Sequence, residues 1–229
     1  MTKRILHIVT NVAKYETKPE RPTGLWLSEL THAWDEFEAQ GYEQHIASPK
    51  GGFCPIEPQS LKFPFFDESA KAWYTNIQRM QLLGDTAAVA DLDAEAYDAI
   101  YLTGGHGVMF DFPESEGLQH LIRDIADRGG VVASVCHGYC GLVNVRDTHG
   151  ELLVNGRKLT GFSWMEEKVA GVSKIVPYNI EERIKERGAE YSKKPIPFVS
   201  NVVVDERLVT GQNPSSAKAV AEAVVETMG

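Results

Sequence analysis

The chain has 229 residues, a formal charge of −9 and ordinary fractions of apolar, charged and aromatic residues. That length buries a core without disulfide or metal staples, and the acidic balance argues against electrostatic binding to nucleic acid or anionic membrane. No run approaches the roughly 18 apolar residues needed to span a bilayer. Three cysteines (Cys54, Cys136, Cys140) are odd in number and form no disulfide framework, which predicts a cytoplasmic, reducing compartment.

The amino-terminal apolar run is too short for a signal peptide, so Ile5–Val9 is predicted as a first strand. Trp26, Leu30, Ala33, Trp34 and Phe37 then fall on one helical stripe that ends at Gly41. Gln44–Ser48 is a second strand. Residues 50–95, rich in Gly, Pro, aromatic and acidic residues, read as an irregular excursion beside the active edge of a single domain spanning 1–229. There Trp73 and Tyr74, with Phe63, Phe65 and Phe66, are expected to pack the excursion.

Ala99–Thr103 is a third strand, stopped by Gly104-Gly105. Leu118, Leu121, Ile122, Ile125 and Ala126 mark the next helix, and Val131–Val135 is a fully buried strand that feeds another. Asn155-Gly156, between Leu152–Val154 and Lys158–Thr160, predicts a two-residue hairpin. Val202–Val204 and Leu208–Val209 predict a second one. Asn213 and Pro214 open a last helix as N-cap and first position. Strands alternating with helices predict an α/β sandwich of three layers, its mainly parallel sheet covered on both faces.

The chemistry concentrates at Cys136, where the buried strand stops at Cys-His-Gly. A nucleophile at a strand-to-helix turn is exposed at the carboxyl edge of the sheet, with backbone N–H groups beside it. A thiol is mostly protonated at neutral pH and needs such help, or a base, to react. A buried structural cysteine is the competing reading. Gly104-Gly105-His106-Gly107 ends the neighbouring strand, and its glycines permit close approach to a ligand. The Gly105 N–H is therefore an oxyanion donor candidate, and His106 a substrate contact. Glu29 lies about 80° from the centre of its helix stripe. On that border it is either a solvated edge residue or a carboxyl holding a proton beside the thiol.

These motifs, taken with Thr23-Gly24, Thr160-Gly161-Phe162 and Thr210-Gly211-Gln212-Asn213-Pro214-Ser215, resemble the DJ-1/ThiJ/PfpI superfamily and its Hsp31-like branch. The resemblance implies a flavodoxin-like fold and a homodimer. It also implies a glutathione-independent glyoxalase that converts methylglyoxal and related dicarbonyls to 2-hydroxy acids such as D-lactate, without metal or other cofactor. Cys136 would be its reactive thiol, Glu29 a hydrogen-bond partner of that thiol, His137 the acid/base, and Glu167 the carboxylate that orients His137. A one-residue slip would exchange Glu166 for Glu167; the spacing from Gly161 favours Glu167. Because neighbouring side chains on a turn tend to diverge, His137 reaches either the sulfur or only the substrate.

Two departures follow the Cys-His-Gly triplet. Tyr139 is expected to narrow or reshape the pocket, and Cys140 to be a buried helix residue rather than a resolving thiol. His7, His32, His45, His120 and His149 show no ligand-like spacing, and no His/Glu cluster matches the extra zinc-binding segment of larger relatives. A holdase, a cysteine oxidation sensor and a deglycase of glycated protein are the competing functions.

Overall fold

Short aliphatic and β-branched runs become the strands, and the amphipathic segments between them become the covering helices. A computed structural model describes residues 2–229. It opens with β1 (Arg4–Ile8), buried over its last four residues. A hairpin of β2 (Lys14–Tyr15) and β3 (Lys18–Pro22) follows, unmarked by turn chemistry in the sequence. Next come α1 (Leu27–Ala39) and β4 (Glu43–Ser48).

The segment 50–95 is more regular than its composition predicts. It holds α2 (Glu68–Thr75), α3 (Ile77–Gly84) and β5 (Ala87–Ala88). Both helices are only eight residues long, too short for the apolar period to stand out. Side-chain caps set them instead: the Asp67 carboxylate accepts the Ala70 N–H, and Asn76 accepts those of Gln78 and Arg79. Trp73 is fully buried, edge-on to Trp34 with centroids 5.0 Å apart, and joins α2 to α1.

The chain continues through β6 (Ala99–Leu102), α4 (Val108–Asp111), α5 (Glu116–Asp127) and β7 (Val131–Val135). Both β6 and β7 are buried at every position, as central parallel strands are. The helix expected after β7 is instead a series of 3-10 turns over Cys136–Leu142. Then come β8 (Lys158–Leu159), α6 (Trp164–Val169), α7 (Ile180–Glu186), β9 (Glu190–Tyr191), β10 (Val202–Asp205), β11 (Leu208–Gly211) and α8 (Ala217–Met228).

The main sheet has the order β10-β11-β7-β6-β1-β4-β5. All its pairs are parallel except β10 with β11, the hairpin predicted at the carboxyl end. The Asn155-Gly156 hairpin does not form. Gly156 keeps its left-handed turn at φ 73°, but β8 pairs in parallel with β9. Asp205 captures the adjoining backbone, its carboxylate accepting the Lys158 N–H at 2.7 Å and Arg157 Nε–H at 3.1 Å. The turn itself closes, with the Arg157 N–H donating to the Val154 carbonyl at 3.1 Å, but these longer-range partners outcompete the strand pairing it would have seeded.

Helices α1 and α8 pack together on one face of the sheet, and α5 covers the other face of β6 and β7. The architecture is the predicted three-layer sandwich. Among the described residues, no helix is long and apolar enough to cross a membrane.

Candidate active site

The strand order places β1, β6 and β7 side by side, and their carboxyl ends form the crevice where ligands bind in such sheets. Cys136 is the first residue beyond β7, with φ 55° in the left-handed region. For a residue with a Cβ this conformation costs about 1–3 kcal/mol and persists only where the surroundings enforce it. The Phe162 N–H helps, donating to the Cys136 carbonyl at 3.1 Å. Gly104, two residues past β6, lets the elements meet: a Cβ there would stand 2.7 Å from Glu29 Oε2 and 2.9 Å from Cys136 Cβ. The next residue, Gly105, has φ 99°, and a side chain on it would strike the Gly24 carbonyl.

Glu29 comes from the first turn of α1 and is fully buried, not on the border that helical geometry predicts. The sheet edge and the β6 turn close over it, a tertiary effect invisible in a single helix. Its Oε2 accepts the Gly104 N–H at 2.6 Å, and Oε1 has no partner among the described residues. Burial pushes its pKa up to about 8, tempered by the Cys136 thiol and the Gly104 N–H. Glu29 therefore holds a proton at neutral pH. Burial and the Glu29 carboxyl push the Cys136 thiol well above its ordinary value, while the N–H groups of His137 and Gly105 pull it down. The thiol is 3% exposed, not the open, low-pKa thiol that a helix N-terminus alone would make.

His137 reaches the sulfur. Its Nδ1 lies 3.2 Å from Cys136 Sγ, and its Nε2 lies 2.7 Å from Glu167 Oε1. The divergence expected of adjacent side chains is overcome by the left-handed backbone at Cys136, which turns the thiol back toward the imidazole. His106, from the glycine turn after β6, brings Nε2 to 3.0 Å from the other carboxylate oxygen of Glu167. The imidazole rings of His106 and His137 are 4.3 Å apart. Burial alone would raise Glu167, but His106 and His137 outweigh it and hold the carboxyl well below the usual range. An ionised carboxylate only accepts, so both histidines donate through Nε2–H. That fixes the tautomer of His137 and leaves the Nδ1 lone pair facing the thiol. Burial and the neighbouring His106 lower the pKa of His137, against the pull of Glu167, so the ring rests as a neutral base.

The resemblance implies the His137–Glu167 pair; the addition is His106, which brings the ligand atoms of His106, His137 and Glu167 within 4.8 Å of one another. Both Nε2 atoms are turned onto the carboxylate as N–H donors, so each carries a proton where a metal would need a lone pair.

Glu166 and Glu167 separate cleanly. Only Glu167 meets the histidines. Glu166 accepts from Ser163, Gln212, Asn213 and the Phe198 N–H, tying together the cap of α6, the Thr210–Ser215 segment and the pocket wall. Tyr139 does not narrow the pocket. It is buried behind it, and its hydroxyl donates to the Phe162 carbonyl at 2.8 Å. Cys140 is buried and free, a packing residue as predicted.

A cavity of about 370 Å³ opens over the thiol, walled by Trp26, Phe65, Phe162 and Phe198. Phe65, assigned from sequence to packing alone, does pack on Trp26 but also faces this cavity. Tyr15, Arg21, Glu57 and Gln59 line it too. Sequence reasoning missed these four, because the β2–β3 hairpin and the loop after β4 carry no motif that announces them.

The sequence and the fold match characterised proteins over nearly their full length. Glyoxalase 3 of Candida albicans is 34% identical over 212 residues, 90% of this chain and 89% of that protein. The crystal structure of glyoxalase III from the same organism superposes with a TM-score of 0.92 at 31% identity, covering 98% of this chain and 97% of that one. Rapid Encystment Protein 24 KDa of Francisella tularensis superposes with a TM-score of 0.95 at 32% identity over the whole of both chains. The DJ-1/PfpI family pattern matches residues 23–227. The chain belongs to the DJ-1/PfpI family.

Proposed function

We propose that this protein is a glutathione-independent glyoxalase that converts methylglyoxal and related 2-oxoaldehydes to 2-hydroxy acids, D-lactate from methylglyoxal. The observation that carries this reading is the alignment of Cys136 Sγ, His137 and Glu167 at 3.2 and 2.7 Å, with Cys136 and His137 lining a cavity and Glu167 buried behind them. Relatives named as glyoxalases over most of the chain support it.

In the reaction, His137 Nδ1 takes the thiol proton as sulfur adds to the aldehyde carbon, giving a hemithioacetal. Glu167 stabilises the imidazolium that forms. The N–H groups of Gly105 and His137, already directed at the thiol, receive the developing oxyanion. Once the hemithioacetal oxygen has been protonated, His137 is again a base. It removes the proton from C1 and returns one to C2 through an enediol, which converts the hemithioacetal to a thioester. Water cleaves the thioester, releasing the hydroxy acid and restoring the thiol. Protonated Glu29 keeps a second negative charge away from the sulfur while the thiolate is forming.

An oxidation sensor needs an exposed, low-pKa thiol. The 3% exposure and upward shift of Cys136 favour a nucleophile deprotonated only when substrate is in place. Glutathione-free turnover of methylglyoxal tests the proposal. The parent is expected to form lactate, and Cys136→Ala to lose at least about 10³-fold in kcat/KM. Parent-like turnover by Cys136→Ala would sink the mechanism.

A further inference from the structure

The cavity is larger than the reaction requires. Its roughly 370 Å³ would hold about a dozen waters at about 30 Å³ each, whereas methylglyoxal has only five non-hydrogen atoms. Tyr15, Arg21, Glu57 and Gln59, from the β2–β3 hairpin and the loop after β4, form one wall of this cavity. This wall adjoins the reacting end, since the Tyr15 ring is 5.6 Å from the His106 ring.

Glu57 is the informative residue. It is 5% exposed, and its Oε1 accepts the Gln59 N–H at 3.2 Å, capping the 3-10 turn Pro58–Leu61. Its Oε2 is buried with no hydrogen-bond partner among the described residues. Trp26, whose side chain lines the same cavity, likewise has a buried, unpartnered Nε1. Such groups cost about 1–3 kcal/mol each when unpaired, and both belong to side chains that line the cavity. The Arg21 guanidinium lies over the Tyr15 ring, 5.5 Å from its centroid.

We infer that this wall is a subsite for a hydroxylated tail, so that the preferred substrates are 2-oxoaldehydes carrying sugar-like hydroxyls beyond the ketone. The inference rests on the glyoxalase reading for its reacting end. The mixture of charges selects the tail: an ammonium group would meet Arg21, and a carboxylate would meet Glu57. A hydroxyl donates to Glu57 and accepts from Arg21 or Trp26 Nε1 with neither conflict.

The test compares kcat/KM for methylglyoxal, 3-deoxyglucosone, an unsubstituted alkyl 2-oxoaldehyde of the same carbon count, and phenylglyoxal. The parent is expected to prefer the hydroxylated compound over its alkyl counterpart at least tenfold. Glu57→Gln, which keeps the cap acceptor, and Arg21→Met should each cut that ratio about tenfold. A parent that treats the matched pair equally or favours phenylglyoxal overturns the subsite, as does an unchanged ratio in both variants. If no dicarbonyl is converted, the glyoxalase reading falls. Equilibrium binding of the hydroxylated and alkyl compounds to the Cys136→Ala protein then decides the subsite alone, with equal affinities counting against it.

Discussion

Two buried carboxyls flank the reacting centre, and they are held in opposite charge states. Glu29 sits behind the thiol, fully buried, with one backbone donor and no cation, and its pKa rises to about 8. Glu167 lies beyond the imidazole, just as deeply buried, but two histidines donate to it and keep it ionised. Burial is common to both; the difference is the donors. In the proposed reaction the pair would divide the labour, with a neutral acid where negative charge must form and a fixed anion where positive charge must form.

Removing the anion should break this division most severely. Glu167→Gln deprives both histidines of their ionised acceptor and lets His137 adopt the tautomer whose Nδ1–H faces the thiol. The loss expected in kcat is about 10⁴-fold, the scale seen when the third member of a catalytic triad is neutralised, with KM changed far less. A fall under tenfold would mean that Glu167 does not set the tautomer. The acid side of the stability curve should respond as well. A depressed carboxyl contributes stability above its unfolded pKa and loses it as pH falls, so the variant should lose less stability on acidification than the parent does.

Glu29→Gln probes the other member and has the opposite sign. A carboxyl raised from 4.5 to about 8 by burial binds more protons folded than unfolded across that interval. Its stabilising contribution is complete below about pH 4.5 and disappears as pH rises through 8. In the parent, kcat/KM should fall above about pH 8 as Glu29 ionises against the thiolate. The glutamine variant should lose that alkaline limb at a cost of about tenfold in rate. A limb that survives the substitution assigns the ionisation to another group.

How legible this was from sequence follows the range of the interactions. Cys136, Gly104 and the parallel strands could be read because each is written in a few adjacent residues: a buried run, then a break. Glu29 and His137 were named, but their states were not legible. Full burial of Glu29 depends on a turn 75 residues away, and the approach of His137 to sulfur depends on a positive φ at Cys136. His106 was read as a substrate contact, and its bond to Glu167, 61 residues on, carries no local signal. The Asn155-Gly156 hairpin failed in the opposite way: its turn forms, but the strand pairing it signals is overruled by Asp205 and β9.

Glu166 provides the smallest expected effect on turnover and the sharpest control, since it neighbours Glu167 and is equally buried. Its oxygens accept from the Ser163 N–H and Oγ–H, Gln212 Nε2, Asn213 Nδ2 and the Phe198 N–H. None of these donors touches the sulfur, so its work is to hold the wall carrying Phe198, a residue kept at φ 62°. Glu166→Gln places an amide N–H₂ among groups that are themselves donors. It should therefore destabilise the fold by about 2–3 kcal/mol while raising KM a few-fold and leaving kcat within about threefold. Thermal unfolding read beside steady-state kinetics separates the two neighbours: Glu166 should appear in Tm and KM, Glu167 in kcat. A Glu166→Gln protein with parental Tm and a kcat reduced as far as in Glu167→Gln would place both carboxylates in the chemistry and erase the distinction drawn between buried anions that support and buried anions that act.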